Sequence, residues 1–126
     1  MDELIARLVA DIGIDRSAAE KAVGIILDFL VKEGPADKVQ PLLAKLPGAD
    51  ALIAKVARES GGGLTSGMSG MMGGVMGAGM RMMSAGLSMS EVQNVGRTVL
   101  AYAREKAGDK AISEVGAAIP GLAQFV

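Results

Sequence analysis

The chain has 126 residues, with 13 Lys and Arg against 14 Asp and Glu, and it contains no Cys, no His and no Trp. These absences exclude disulfides, thiol nucleophiles, Cys/His zinc sites and His-based catalysis. A net charge of −1 provides no basic surface for nucleic acid, and an aromatic content of 2% provides few rings for stacking on bases.

Four helices are predicted in the first half of the chain, because apolar residues recur there at every third or fourth position. The second of them begins at Asp15 or at Ser17, and Ser17 with Glu20 forms a capping-box pattern. Within the same helix Asp28 and Lys32 are four residues apart, which predicts an ordinary ion pair on its surface. The predicted helices cover residues 4–12, 17–33, 37–46 and 50–59.

Residues 60–87 form a segment rich in Gly and Met. Ten of the 18 Gly and seven of the 9 Met lie between positions 61 and 86. On a helix, successive residues are 100° apart, so the glycines and the methionines fall on opposite faces. One side of the helix contains Gly63, Gly67, Gly70, Gly74 and Gly77, and the opposite side contains Met68, Met72, Met76, Met80 and Met83. Because each interior Gly costs a helix about 1 kcal/mol relative to Ala, this helix needs tertiary packing.

Several roles for this segment are open. It is either a central helix whose methionines fill gaps in the core, or a surface that binds a second copy or another protein. The candidate interaction face consists of Gly67, Gly70, Gly74, Gly77, Met68, Met72, Met76 and Met80. Two further hypotheses are that the segment is a flexible linker and that it is a Cu(I) or small-ligand carrier, which would use Met72, Met76 and Met80. Membrane-surface binding is disfavoured because Arg81 is the segment's one basic residue.

The C-terminal part repeats the helical pattern of the first half. Ser88 and Glu91 form a second capping-box pattern, which precedes an apolar helical stripe that extends to Ala103. Gly108 interrupts the pattern, and a further helix is predicted over residues 109–118. An apolar end follows Pro120.

Residue pairs recur between the two parts at a spacing of 72 positions. Val23-Gly24 matches Val95-Gly96, and Asp37-Lys38 matches Asp109-Lys110. After one inserted residue, a Pro-Gly pair also recurs. This pattern predicts an internal duplication, with two helical hairpins that pack together with pseudo-twofold symmetry. The predicted single domain thus has an N-terminal repeat (1–59), the Gly/Met-rich segment (60–87) and a C-terminal repeat (88–126).

Two stretches carry a resemblance to a family. Residues 19–27, followed by Ala44-Lys45-Leu46-Pro47-Gly48-Ala49-Asp50, resemble uncharacterised bacterial helical domains of the VcgC/VcgE type. Residues 102–109 and 119–126 look like the same unit again. The resemblance implies a small bacterial helical domain with no established activity, and it carries over no catalytic residues.

The expected fold is therefore an all-α bundle of six or seven helices, with two hairpin repeats around a central Gly/Met-rich helix. The expected function is that of a non-enzymatic structural or protein-interaction module that self-associates. No cofactor, metal, nucleic-acid partner or membrane contact is expected. The acidic N-terminal residues and the lack of a 20-residue apolar run predict a cytoplasmic protein.

Overall fold

A computed structural model describes residues 2–59 and 74–119. These residues form seven helices that pack together, and no strand occurs among them. The prediction of an all-α bundle of six or seven helices is confirmed for this part of the chain. The helices are α1 (Asp2–Ile12), α2 (Arg16–Glu33), α3 (Ala36–Ala44), α4 (Ala49–Glu59), α5 (Gly74–Ser84), α6 (Met89–Ala107) and α7 (Asp109–Ala118).

Five of the other helices pack against α2, and they are α1, α3, α4, α5 and α6. Every residue of α2 from Ala22 to Leu30 is buried, as expected for a helix that is apolar on all sides. In α6, by contrast, the buried residues form a stripe, and Arg97 and Ala101 on the opposite side are exposed. The difference in sequence between the two long helices therefore decides which of them lies inside the bundle.

The two capping-box predictions have different outcomes. At the start of α6 the Ser88 N–H donates to the Glu91 carboxylate at 2.8 Å, and the Glu91 N–H donates to the Ser88 hydroxyl oxygen at 3.3 Å. The predicted box at Ser17 is wrong, because α2 begins at Arg16 with Asp15 as its N-cap. Ser17 is consequently the second helical residue. Glu20 pairs instead with Lys55 of α4 at 3.6 Å.

Helix α4 approaches α2 very closely at Gly24. A Cβ atom added to Gly24 would collide with the side chain of Val56 and would lie 2.8 Å from the carbonyl oxygen of Leu52. Both of these groups belong to α4. The α2–α4 contact therefore requires glycine at position 24.

The remaining contacts link two sets of three helices. In the first set α1 and α3 pack against α2, and in the second set α5 and α7 pack against α6. Between the sets, α2 contacts α6, α3 contacts α7, α1 contacts α6 and α5 contacts α2. The largest fully buried side chains come from both sets, and they are Leu4, Leu8, Leu27, Leu30, Leu42, Ile112, Ile119, Val23, Val39, Val95, Val99 and Val115.

Candidate interaction surface

Helix α5 is the described part of the Gly/Met-rich segment, and it has one buried and one exposed side. Met80 and Met83 lie one turn apart and are 48% and 44% exposed, whereas Met82 is only 4% exposed. Gly79 faces α6, where an added Cβ would lie 3.9 Å from Val92 Cγ1. We call the exposed pair Met80 and Met83 the methionine face.

The end of α5 fixes this orientation. Gly86 adopts φ +106°, and its N–H donates to the Met83 carbonyl oxygen at 3.0 Å. The Leu87 N–H donates to the Met82 carbonyl oxygen at 3.2 Å. This pair of bonds is a Schellman motif, in which glycine relieves the strain of a positive φ. Leu87 is buried after the turn, so both Met82 and Leu87 hold this end of α5 against the bundle.

The exposure of the methionines therefore distinguishes two hypotheses for them, core packing and an interaction surface. The interpretation that the methionine side of the predicted helix fills the core is wrong for Met80 and Met83, because α5 turns its buried side toward α2 and α6. The core methionine is Met82, which belonged to neither predicted face. Gly74, Gly77 and Met76 lie in α5, where only their helical backbone is described.

The other predicted face residues lie outside the described ranges, and they are Gly63, Gly67, Gly70, Met68 and Met72. The carrier hypothesis thus stays a prediction, since Met80 is the one member of its set with a described side chain. The same holds for the prediction that residues 60–87 form the central helix. What the structure shows is that α5 packs against α2 and α6.

The predicted surface ion pair between Asp28 and Lys32 is wrong in its location. The Asp28 side chain is only 7% exposed, and its Oδ2 lies 3.1 Å from both Lys32 Nζ and Arg81 Nη1. Asp28 is buried because other helices cover the side of α2 on which it lies. One of them is α5, which supplies Arg81. Asp28 is the one buried charged residue within the described ranges. Arg81, the single charged residue of the Gly/Met-rich segment, therefore ties α5 to α2.

Few charged residues lie near the methionine face along the sequence. Of the 13 basic and 14 acidic residues, Arg81 alone falls between positions 60 and 90, and its guanidinium binds Asp28. The exposed residues that follow Met83 in this stretch include Ser84 and Ser88, and Met89 is 58% exposed at the start of α6. The helical spacing of the Gly/Met-rich segment does not include Met89, although the position of Met89 directly after the N-cap Ser88 predicts a solvent-facing side chain.

A second polar cluster joins α1 to α6. The Arg7 guanidinium binds Glu105 with two hydrogen bonds, of 2.6 Å and 3.3 Å, and it also reaches Glu3 at 3.2 Å. Its Cζ lies 5.7 Å from the centre of the buried Tyr102 ring, and Lys106 Nζ lies 5.4 Å from the same centre. Tyr102 thus serves as a cation–π surface for two basic side chains. We assign this cluster to the packing of the bundle.

The cluster makes the stability of the protein depend on pH. The hydrogen bond from Arg7 holds the pKa of Glu105 below its usual 4.5, although partial desolvation opposes this effect. The same hydrogen bond raises the pKa of Arg7. A carboxyl whose pKa is lower in the folded state stabilises that state above its unfolded pKa, and the stabilisation disappears as the pH falls through the folded pKa.

Glu105→Gln should therefore lower the free energy of unfolding near pH 7 but not at a pH well below 4.5. Urea denaturation of wild type and variant across this pH range measures the difference. Asp11→Asn is the matched control, because Asp11 is exposed at the end of α1. A difference between wild type and Glu105→Gln that is constant with pH would contradict the role of the Glu105 carboxylate.

No group of three or more His, Cys, Asp or Glu residues with a metal-binding arrangement occurs in the parts of the chain that the structure describes. Among residues 2–59 and 74–119, no helix combines the length with the hydropathy that a membrane span requires. No family model, curated protein or solved structure matches the chain. The resemblance to VcgC/VcgE-type domains and the cytoplasmic location thus stay predictions.

Proposed function

We propose that the protein is a non-enzymatic interaction module that self-associates through the methionine face. The observation that carries this proposal is the exposure of Met80 and Met83 on a helix whose other side packs on the bundle. The cores of protein interfaces are rich in Met and poor in charged residues. Methionine side chains are also flexible and polarisable, so they adapt to a partner surface.

The charge distribution supports the same proposal. Desolvating a charged group on association is costly unless the partner supplies an opposite charge. Arg81 is the charge closest in sequence to the methionine face, and Asp28 within the same chain already binds it. Two copies can therefore bring their methionine faces together without burying an uncompensated charge from this segment.

We also propose that the α2–α3 and α6–α7 hairpins are copies of one ancestral unit. In a pair related by a twofold axis, the helices nearest the axis contact their equivalents, and the contacts of α2 with α6 and of α3 with α7 support this relation. Val23 and Val95, which are 72 positions apart, are both fully buried. The helices α1 and α5 precede these hairpins in equivalent positions, but Leu8 is buried where Met80 is exposed.

Sedimentation equilibrium of the full chain tests self-association. We expect wild type to be oligomeric at high micromolar concentration, and we expect Met80→Glu with Met83→Glu to be monomeric. The glutamates would place like charges opposite each other in the interface. Because both positions are exposed, the far-UV circular dichroism of the variant should match that of wild type.

The matched control is Val9→Glu, which makes the same apolar-to-acidic change at an exposed position of α1. This variant should remain oligomeric. A wild-type chain that is monomeric throughout the concentration range would contradict self-association. Equal dissociation of the Val9 variant and the methionine variant would contradict the location of the interface on α5.

A further inference from the structure

The chain concentrates its readily oxidised groups in one place. It has nine Met but neither Cys nor Trp, and seven of the nine lie between positions 61 and 86. Thioether sulfurs are therefore its main acceptors of an oxygen atom from peroxides. Susceptibility to this reaction depends on exposure, and within α5 the exposed Met80 and Met83 flank the buried Met82.

We propose that Met80 and Met83 are sites of reversible oxidation by hydroperoxides, and that their oxidation blocks the methionine face. The second half of this proposal rests on the proposed self-association. In the reaction the thioether sulfur attacks one peroxide oxygen, the O–O bond breaks, and an alcohol or water leaves. The sulfur is oxidised to a sulfoxide while the peroxide is reduced. A dithiol-dependent reductase reverses the step, with formation of water and a disulfide on the reductase.

The positions of the side chains predict different consequences for the fold and for the interface. Sulfoxides at Met80 and Met83 project into solvent, so they leave the packing of α5 on α2 and α6 intact. Met82 is shielded in the core, where a polar sulfoxide would disrupt packing. In an interface, however, a sulfoxide oxygen without a hydrogen-bond donor is a buried unsatisfied polar group, which weakens association.

Oxidation of the full chain with hydrogen peroxide, followed by peptide mass spectrometry over time, tests the sites. We expect Met80 and Met83 to form sulfoxides several-fold faster than Met82, while the far-UV circular dichroism remains native. The exposed Met89 should react at a rate similar to theirs. Oxidation of Met82 at the same rate as Met80 in a natively folded chain would overturn the assignment.

A variant that cannot be oxidised at these two positions tests the switch. Met80→Leu with Met83→Leu keeps the volume and apolar character of the face. Peroxide should dissociate the wild-type assembly, whereas the leucine variant should stay associated. Dissociation of both proteins, or persistence of a wild-type assembly oxidised at both positions, would overturn the switch. A wild type that is monomeric before treatment overturns the proposed self-association instead, and the oxidation rates still decide the modification sites.

Discussion

Gly24→Ala should lower the free energy of unfolding by about 2 kcal/mol, because overpacking a core costs up to about 3 kcal/mol and alanine returns about 1 kcal/mol of helix propensity. The added Cβ collides with Val56 and lies 2.8 Å from the Leu52 carbonyl oxygen. A backbone oxygen cannot rotate away as a side chain can. Accommodation therefore requires α4 as a whole to shift away from α2.

Thermal and urea denaturation measure this effect, and a loss of 2 kcal/mol in a domain of this size corresponds to a fall in Tm of roughly 8 °C. The matched control is Gly79→Ala, a second helical glycine, whose added Cβ would make only an ordinary contact with Val92 at 3.9 Å. This variant should be more stable than wild type by about 1 kcal/mol, because alanine is the better helix former. Equal destabilisation by both substitutions would contradict a specific contact at Gly24.

The role of Gly24 could not be predicted from the sequence. The pattern around it recurs at Gly96, yet Gly24 is buried beneath α4 while Gly96 is only half-buried on α6. An internal helical glycine looks the same in both cases. What distinguishes the two positions is a long-range contact, since Val56 lies more than thirty residues from Gly24. The helical periodicity and most helix ends, by contrast, depend on nearby residues, and these predictions agree with the structure.

The location of Asp28 was mispredicted for a related reason. The spacing of Asp28 from Lys32 is typical of a solvent-exposed pair, and the prediction rested on this spacing and not on the apolar sequence around Asp28. Residues 22–31 contain no other charged residue, which is a pattern typical of a helix buried on all sides. That signal was available in the sequence. The pairing of Asp28 with Arg81 could not be predicted from the sequence, because 53 positions separate the two residues.

The orientation of α5 also lay beyond the sequence. The helical periodicity correctly placed Met80 and Met83 on the same side of one helix. It could not show which side faces the core, because methionine is found both in cores and on adaptable binding surfaces. The orientation depends on three features that helical periodicity does not include. They are the burial of Met82, the Schellman turn at Gly86 and the ion pair of Arg81 with Asp28.

Arg81→Met should lower the free energy of unfolding by about 2 kcal/mol. Breaking a buried ion pair costs about 3–5 kcal/mol when it leaves a buried charge uncompensated, but Lys32 still pairs with Asp28 in this variant. The substitution leaves the Asp28 carboxylate buried with Lys32 as its remaining basic partner. Lys32→Met is the matched control. Because the Lys32 side chain is 66% exposed, its loss should cost about 0.5 kcal/mol or less.

A double variant separates the burial of the Asp28 charge from other effects of losing Arg81. Replacing a buried ion pair by apolar residues of similar volume is often neutral or stabilising. Position 100, which is 72 residues after Asp28, already holds a leucine that is buried in α6. Asp28→Leu with Arg81→Met should therefore recover most of the stability that Arg81→Met loses. Urea denaturation measures the free energy of unfolding of the three variants, and amide hydrogen exchange of α5 shows whether this helix detaches from α2. Equal losses in Arg81→Met and Lys32→Met, or no recovery in the double variant, would contradict the role of Arg81 as the tie between α5 and α2.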